Sequence, residues 1–264
     1  MKSDFLQKYG PWAVVTGASS GIGEAIAREL AARGVHLVLC ARRKDRLSAL
    51  AAELTGLHSI QTRVVEVDLS TDTFLPTITE VTNALDVGLL VNNAGFGDKG
   101  PFIGCDLTEH LRMLHTNCRA PLMLAHTFAP KLIERGRGGI LFTSSTAAFQ
   151  GIPFASHYAA TKGYDLQLAE GLWYELKPQG VDVVALCPGP TDTEGPRRTG
   201  VNPAKVPIST MDAKSVAEYG LNALGGNPVA VPGMTNRLLH TLVKLVPRRV
   251  ATAVSGKMIQ RVTS

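Results

Sequence analysis

A tyrosine and a lysine four residues apart are the side chains of this chain best suited to acid–base chemistry. Tyr158 and Lys162 lie in the segment 157–163, and Ser145 precedes the tyrosine by thirteen positions. On a helix, residues i and i+4 share one face, so the Lys162 ammonium would lie near the Tyr158 hydroxyl and favour its ionised form. A tyrosine in water, with a pKa of about 10, is a poor proton donor at neutral pH. The pair therefore predicts proton exchange with a carbonyl or alcohol, provided that a redox cofactor binds elsewhere in the chain.

A glycine-rich turn near the amino terminus is the candidate cofactor site. The apolar residues 12–15 run into Thr16-Gly17-Ala-Ser-Ser-Gly21-Ile-Gly23, and a helical pattern follows over 24–30. Glycines let the backbone approach a pyrophosphate closely, and the first amides of the following helix attract its charge. The spacing G-x-x-x-G-x-G departs from the G-x-G-x-x-G of many dinucleotide folds, so the turn alone does not identify the ligand.

The same turn also fits a hydrolase motif. Residues 17–21 read G-x-S-x-G with Ser19 at the centre, which is the pattern of a nucleophile elbow. A serine hydrolase also needs an acid and a histidine, and His157 is the only tempting base. This alternative leaves Gly23 and the arginines beyond the second strand without a role, and we favour nucleotide binding.

The residues after the second predicted strand indicate which dinucleotide binds. The apolar run 35–40 ends in Ala41-Arg42-Arg43-Lys44. A fold that prefers NAD places a carboxylate here to bind the ribose hydroxyls, whereas arginine suits a 2′-phosphate. Positive charge at a helix start is otherwise unfavourable. Arg42 and Arg43 therefore predict NADP(H).

Several separated motifs resemble, in their order, those of the short-chain dehydrogenase/reductase family, in its NADP-preferring branch, over roughly residues 11–193. In chain order the motifs are Thr16-Gly-Ala-Ser-Ser-Gly-Ile-Gly23, Asp68-Leu69, Asn92-Asn93-Ala94-Gly95, Asn117, Ser145, Tyr158 with Lys162, and Pro188-Gly-Pro-Thr191.

The resemblance implies a role for each residue of the catalytic set. Tyr158 would protonate the carbonyl oxygen during reduction, and Ser145 would orient that oxygen. Lys162 would hold the nicotinamide ribose and favour the ionised tyrosine, and Asn117 would hold a water that links Lys162 to solvent. The implied cofactor contacts are Gly17, Ser19, Ser20, Gly21, Ile22, Gly23, Arg42, Arg43, Asp68, Leu69, Asn93, Ala94, Gly95, Tyr158, Lys162, Pro188, Gly189 and Thr191.

Periodicity predicts an α/β protein of one domain, a doubly wound parallel sheet of the Rossmann type. Strands are predicted near 12–16, 35–40, 62–67, 87–92, 138–144, 181–186 and 229–231, with helices near 21–33, 44–54, 71–84, 106–135, 156–177 and 213–224. Taken singly, Ser145, Asn117 and Asn93 have structural explanations as caps or turns. Because the candidate residues follow strand ends or lie on the helix facing that edge, we expect them to meet at one site. Residues 191–211 are predicted to form a substrate lid.

The carboxyl-terminal segment is basic and amphipathic. The chain carries a formal net charge of +5, yet no acidic residue follows Glu218. The later cations are Arg237, Lys244, Arg248, Arg249, Lys257 and Arg261, and without them the net charge would be about −1. We therefore predict no nucleic-acid partner, and expect residues 234–264 to form two helices interrupted at Pro247. Packing on the chain's own domain or on a second copy is favoured over contact with anionic lipid.

Cysteine and histidine usage indicates a reducing compartment and no metal. Cys40, Cys105, Cys118 and Cys187 show no C-x-x-C spacing, and the seven histidines show no paired-ligand spacing. The amino terminus lacks the apolar core of a signal peptide, and no apolar run is long enough to span a bilayer. A cytosolic protein is expected, peripheral at a membrane if the tail binds one.

The sequence thus predicts an NADP(H)-dependent oxidoreductase, a homo-oligomer, that interconverts a ketone or aldehyde with an alcohol, on a lipophilic substrate and mainly as a reductase. The alternative is an NADP(H)-binding scaffold or redox sensor without enzymatic activity, carrying a membrane-surface tail.

Overall fold

A seven-stranded parallel sheet forms the centre of the molecule in the computed structural model, which describes residues 2–194 and 210–263. In chain order its strands are β1 (Trp12–Thr16), β2 (His36–Ala41), β3 (Thr62–Glu66), β4 (Val87–Asn92), β5 (Gly138–Thr143), β6 (Val181–Leu186) and β9 (Val229–Ala230). Their order in the sheet is β3-β2-β1-β4-β5-β6-β9, and a separate short pair joins β7 (Thr191–Asp192) to β8 (Met211–Asp212). The predicted doubly wound sheet is confirmed.

Helices cover both faces of the sheet. They are α1 (Lys2–Tyr9), α2 (Gly21–Ala32), α3 (Lys44–Leu57), α4 (Phe74–Thr82), α5 (Leu107–Leu114), α6 (Ala120–Glu134), α7 (Ser156–Leu176), α8 (Ala213–Asn222), α9 (Met234–Leu245) and α10 (Arg248–Thr263). Because side chains alternate along a strand, Val14 joins one apolar core with α4, α6 and α7, whereas Ala13 and Val15 join the other with α2, α3 and α8. Strands covered on both faces are mainly apolar, and every residue of β1, β4 and β5 is buried, including the polar residues Thr16, Asn92 and Thr143 that end them.

The structure differs from the sequence prediction at two places, and one prediction is not tested. The predicted helix 106–135 is interrupted by a π-helical turn, His115–Arg119, between α5 and α6. Helix α1 was not predicted, and it is held to the domain by Tyr9, whose hydroxyl donates to Asp182 at 2.5 Å. Most of the predicted lid, residues 195–209, lies outside the described residues.

The carboxyl-terminal extension consists of the two predicted helices, which separate at Pro247. Their inner side covers the loops that follow β5 and β6. Ser255 donates a hydrogen bond to the carbonyl of Gly151 at 3.4 Å, and the rings of Phe149 and His240 lie 3.8 Å apart between centroids. Among the described residues, no helix combines the length and apolarity needed to cross a bilayer.

Candidate active site

The loops after β1 and β4 meet at the point where the strand order reverses. Strand β1 lies between β2 and β4, so the turn that follows it opens into the crevice where such sheets bind ligands. Gly17 has a φ of 69°, and a Cβ there would lie 2.8 Å from Nδ2 of Asn93. Thr16 Oγ1 accepts hydrogen bonds from the amides of Asn93 and Ala94 at 2.9 and 3.0 Å. This network fixes the glycine turn against the end of β4, with Gly21 and Ile22 beginning α2.

Arg43 and two serines of the glycine turn form a compact polar pocket. Arg43 Nη2 donates to Ser20 Oγ at 2.6 Å and to Ser19 Oγ at 3.1 Å, and its Nε donates to Ser19 Oγ at 3.2 Å. A guanidinium, two hydroxyls and a helix amino terminus are together the donor set that a phosphate monoester requires. The residues present therefore fit the phosphates of a dinucleotide.

A carboxylate from the predicted lid reaches this pocket. Glu194 Oε2 accepts from Arg43 Nη1 at 2.8 Å, and the same carboxylate pairs with Arg46. Hydrogen bonds from the two arginines lower the pKa of Glu194 to about 2. The sequence analysis singled out neither Glu194 nor Arg46 as a site residue.

Arg42 lies on the other side of this pocket, beside Asp68. Its Nη1 is 3.9 Å from Asp68 Oδ2, while Asp68 Oδ1 accepts from the amide and hydroxyl of Ser70 at 2.9 and 2.7 Å. Burial opposes ionisation of Asp68, but the Ser70 hydrogen bonds and Arg42 lower its pKa on balance. Leu69 is buried beside it. Asp68 is thus an ionised acceptor at the edge of the candidate cofactor site.

Lys162 is the most deeply buried cation of the site. It is 5 % exposed, and its Nζ donates to the carbonyl of Thr143 at 2.7 Å and to Asp165 Oδ2 at 3.0 Å. Burial lowers its pKa, but the charges of Asp165 and Tyr158 outweigh that effect and raise it above the ordinary lysine value. An ammonium therefore persists here at neutral pH, next to the end of β5.

Asp165 is a site residue that the sequence analysis missed. It is 3 % exposed and lies one turn beyond Lys162 on α7. Burial raises its pKa, whereas Lys162 lowers it and only in part offsets that effect. Its second oxygen, Oδ1, is buried and has no hydrogen-bond partner among the described residues. The available signal was the i, i+3 spacing from Lys162, which places both charges on one face of the helix.

Tyr158 and Lys162 both contact the segment that follows β4. A Cβ at Gly95 would lie 3.2 Å from Lys162 Nζ, and one at Gly97 would lie 2.7 Å from Cδ2 of Tyr158. The close packing leaves backbone, and no side chain, between the glycines and these two groups. The predicted neighbourhood of the two residues is thus present in the structure, on the face of α7 that looks toward the carboxyl ends of the strands.

Asn117 reaches the same place from the π-helical turn. Its Nδ2 donates to the carbonyl of Phe96 at 2.8 Å and to Thr161 Oγ1 at 3.0 Å, while its Oδ1 accepts from the amide of Phe96 at 3.1 Å. The same Cβ at Gly95 would also lie 3.2 Å from Asn117 Oδ1. Single π turns are frequent at functional sites, and this one brings an amide into the surroundings of Lys162.

Ser145 and the loop after β6 complete the edge of the site. Ser145 Oγ accepts a hydrogen bond from the amide of Ala147 at 3.1 Å. The amide of Thr146, which lies between these two residues in the chain, donates to the carbonyl of Pro188 at 2.9 Å. Thr191 Oγ1 donates to the carbonyl of Gly189 at 3.0 Å. The predicted residues of both loops therefore meet at one edge, although no described contact joins Ser145 to Tyr158.

The hydrolase alternative lacks its catalytic contact. The hydroxyl of Ser19 is used by Arg43, whereas His157 Nε2 lies 2.9 Å from the carbonyl of His110. The two side chains that would form a nucleophile and base thus have separate partners. Tyr158, Lys162 and Asn117, by contrast, all contact residues 95–97.

A cluster of potential metal ligands lies on the loop between β4 and α5. One ligand atom from each of Asp98, Cys105 and His110 comes within 4.8 Å of the others. Two of the three side chains are partly exposed, and the sequence spacing gave no signal because they belong to different elements. The cluster lies outside the proton-transfer set, and the expectation of chemistry without a metal stays a prediction.

Comparison with known proteins gives consistent matches. The family model "short chain dehydrogenase" matches residues 11–202. A 7beta-hydroxysteroid dehydrogenase of Clostridium sardiniense is 31 % identical over 97 % of this chain and 98 % of its own length. The human protein "Inactive hydroxysteroid dehydrogenase-like protein 1" is 32 % identical over 71 % of this chain and 58 % of its own length. A short-chain dehydrogenase from Sphingobium yanoikuyae, solved in complex with NADPH, is 30 % identical with a TM-score of 0.79, over 90 % of this chain and 97 % of that one.

Proposed function

This chain belongs to the short-chain dehydrogenase family, and we propose that it is an NADP(H)-dependent oxidoreductase that interconverts a ketone or aldehyde with an alcohol. The observation that carries the proposal is the buried Lys162 ammonium one helical turn from Tyr158, against the glycine-containing segment after β4. A cation held there would stabilise the negative charge that the tyrosine oxygen carries after it has given up its proton.

The residues divide the work of reduction as follows. Tyr158 donates its proton to the carbonyl oxygen, and Ser145 donates a hydrogen bond to the same oxygen as negative charge develops on it. Lys162 stabilises the phenolate that remains, and Asn117 lies on the route by which the proton is replaced. When bound, the reduced dinucleotide supplies the hydride that the carbonyl carbon receives. The carbonyl thus gains a hydride and a proton, and in the oxidative direction Tyr158 accepts the proton instead.

Preference for NADP(H) is supported by the pocket around Arg43. Two serine hydroxyls and a guanidinium face the position where the adenine-side ribose of a dinucleotide lies at this switch point. The residues between β2 and α3, where a carboxylate would bind ribose hydroxyls, are Arg42 and Arg43 instead. The NADPH complex of the Sphingobium relative is consistent with this assignment.

A lipophilic substrate is supported by a relative and by the side chains on the substrate side. The Clostridium sardiniense relative is a hydroxysteroid dehydrogenase and aligns over nearly its whole length. In this chain, Phe149 and Phe154 lie on the loop between Ser145 and Tyr158, and α9 and α10 cover that loop. We therefore extend the proposal to bulky apolar ketones and alcohols.

A scaffold or sensor without enzymatic activity is the second candidate. It is favoured by one observation, that a relative aligned over 71 % of this chain is named inactive. However, a protein that only binds dinucleotide needs no proton donor, and Ser145, Tyr158 and Lys162 are all present in this chain. We therefore prefer the enzyme.

The test is the oxidation of NADPH, followed by absorbance, with aldehydes and ketones graded by size and apolarity. We expect turnover that rises with the apolar surface of the ketone. Tyr158→Phe should reduce kcat by about 10²- to 10⁴-fold, because only the proton donor is lost, while the Kd for NADPH stays nearly unchanged. Tyr174→Phe is the matched control, because Tyr174 is 78 % exposed on α7, and it should leave kcat unaltered.

Two results would contradict the proposal. Wild-type protein that binds NADPH but turns over no carbonyl compound in the panel would favour the scaffold. Unchanged turnover by Tyr158→Phe would remove the tyrosine from the role of proton donor.

A further inference from the structure

The two carboxyl-terminal helices present an apolar stripe to solvent. On α9, Met234, Leu238, Leu242 and Leu245 are 82, 61, 47 and 77 % exposed. Their spacing of three and four residues places them on one face of the helix. Single exposed apolar side chains are normal on protein surfaces, but a continuous row along a helix indicates a contact surface.

Helix α10 continues the same arrangement. Val250, Val254 and Met258 recur every four residues and are 49, 57 and 39 % exposed. Together with the α9 residues and the junction residue Val246, they form what we call the tail stripe. The tail stripe is composed of Met234, Leu238, Leu242, Leu245, Val246, Val250, Val254 and Met258.

Packing on the chain's own domain accounts only for the opposite side of these helices. The buried residues are Asn236 on α9 and Ala251, Ser255 and Gly256 on α10. A Cβ at Gly256 would lie 3.0 Å from Cγ of Pro153, so this side of α10 packs directly against the loop that follows β5. The expectation that the tail packs on its own domain therefore holds for the inner side, whereas the tail stripe stays 38 to 82 % exposed.

The charges beside the tail stripe are of one sign. Arg237, Arg248, Arg249 and Lys257 are exposed, and the sequence has no acidic residue after Glu218. Across residues 2–194 and 210–263, the last ion pair in chain order is that of Lys214 with Glu218. The four cations thus have no carboxylate of the described chain to neutralise them.

An apolar face bordered by cations alone fits a partner that is both apolar and anionic. We propose that α9 and α10 dock on the surface of a bilayer that contains anionic phospholipid, with the tail stripe inserted at the level of the acyl chains. Amphipathic helices of this composition lie in the plane of the interface, and each nearby Lys or Arg adds attraction to anionic headgroups. A second copy joined through the same helices would place six positive charges opposite six, with no acidic residue on either side.

A cleft beside the tail supplies a place for a headgroup. It has a volume of about 480 Å³, and Pro153 and Phe154 line it together with Arg248, Arg249 and Lys257. A cleft lined by both cations and apolar groups matches the boundary between a phosphate and an acyl chain. Phe154 is four residues from Tyr158 in the chain, so the docked surface would lie on the side of the molecule that faces the candidate active site.

The experiment is flotation of the full-length protein with phosphatidylcholine vesicles, with and without phosphatidylserine. We expect wild type to float with the anionic vesicles alone, and raising the salt concentration should release part of it. The variant Leu238→Glu/Leu242→Glu should stay at the bottom of the gradient. The control is Leu57→Glu, because Leu57 is 67 % exposed at the end of α3, outside the tail, and this variant should float like wild type.

The contribution of charge is measured separately. Arg248→Gln and Arg249→Gln should each weaken partitioning about fivefold at low salt, in line with the usual contribution of one basic residue near a headgroup. Circular dichroism of every variant checks that the helices are retained. Because vesicle binding needs no substrate, the result is independent of the proposed enzymatic activity.

Three outcomes would overturn the proposal. In the first, wild type fails to float with anionic vesicles. In the second, Leu57→Glu loses flotation as fully as the tail variant does. In the third, wild type would stay unbound while light scattering shows a dimer that Leu238→Glu/Leu242→Glu dissociates. That result would assign the tail stripe to a second copy of the chain.

Discussion

The cations at the carboxyl edge of the sheet differ from those of the carboxyl-terminal helices in whether the chain supplies them with acidic partners. At the sheet edge, Lys162 is paired with Asp165, and Arg43 with Glu194. On α9 and α10, arginines and lysines follow one another with no acidic residue in the sequence beyond Glu218. The cations of the sheet edge are thus neutralised within the chain, whereas those of the tail remain available to an external anion.

This difference shows what each region can do. A buried charge is tolerated only when a partner is supplied, and the partner then fixes the position of the charge. An exposed cation has no such requirement, because water solvates it, so a run of cations without acids leaves a field that attracts an external anion. The sheet edge is therefore suited to holding a proton donor in place, and the tail is suited to finding an anionic surface.

Removing the internal partner of Lys162 should have the largest effect. In Asp165→Asn the buried ammonium keeps an amide neighbour but loses its counter-charge. We expect the free energy of unfolding to fall by about 3 kcal/mol, measured by urea denaturation at neutral pH. Because Asp165 raises the pKa of Lys162 against the effect of burial, its loss lowers that pKa, and Lys162 loses its proton at a lower pH. The alkaline limit of kcat/KM should move down by about one pH unit or more.

A double variant separates stability from positioning. Lys162→Met/Asp165→Leu removes both charges, so it should recover much of the stability that Asp165→Asn loses, whereas activity should be abolished with the loss of Lys162. If Asp165→Asn is destabilised but its pH–rate profile is that of wild type, Asp165 is a structural residue only, and our assignment of it to Lys162 is wrong.

The second-largest effect should come from replacing Arg43, which pairs with Glu194 and lies where we expect a cofactor phosphate. Arg43→Ala removes the donor to Ser19, Ser20 and the expected phosphate, so we expect the Kd for NADPH to rise about 10- to 100-fold. The Kd for NADH should hardly change, as measured by fluorescence titration of both cofactors. Arg28→Ala is the control, since Arg28 lies within α2 and pairs with Glu24 of that helix and with Glu53 of α3. Equal losses for NADPH and NADH would contradict the role given to Arg43.

The smallest effect should come from removing the carboxylate that neutralises two arginines at the sheet edge, which would leave them without an acidic partner, like the cations of the tail. Glu194→Gln leaves Arg43 and Arg46 without their carboxylate, as the tail cations are. Since the carboxylate and a cofactor phosphate would use the same guanidinium, NADPH should bind roughly threefold more tightly to the variant, with no change for NADH. Weaker binding of NADPH would mean that Glu194 orients the arginines and does not compete for them.

Most of the fold could be predicted from the sequence because strand and helix patterns differ in period. Strand β1 was predicted at its observed limits, and so was β4, since apolar runs bounded by glycine or asparagine leave little choice. The π turn at 115–119 could not be predicted, because it adds one residue to a helical pattern whose apolar period is otherwise continuous. Helix α1 was overlooked because its eight residues are mainly polar.

The sequence predicted individual residues of the candidate site better than the contacts between them. Motif order indicated Tyr158 and Lys162, and the position after the second strand indicated Arg43. Asp165 and Glu194 gave no motif signal, since an acidic residue on a helix or in a loop is ordinarily solvated. Their importance comes from burial or from a distant partner, and neither is visible in a single sequence. In the same way, the tail was expected to be amphipathic, but which side faces the domain required coordinates.

Asn236 gives the tail a mechanical connection to the loop after β6. Its side chain is buried where a Cβ at Gly189 would stand, and its Nδ2 donates to the carbonyl of Pro232 at 2.9 Å. Helix α9 and residues 188–191 therefore pack without space between them at this point. A shift of α9 toward the sheet would consequently require the backbone of that loop to move as well.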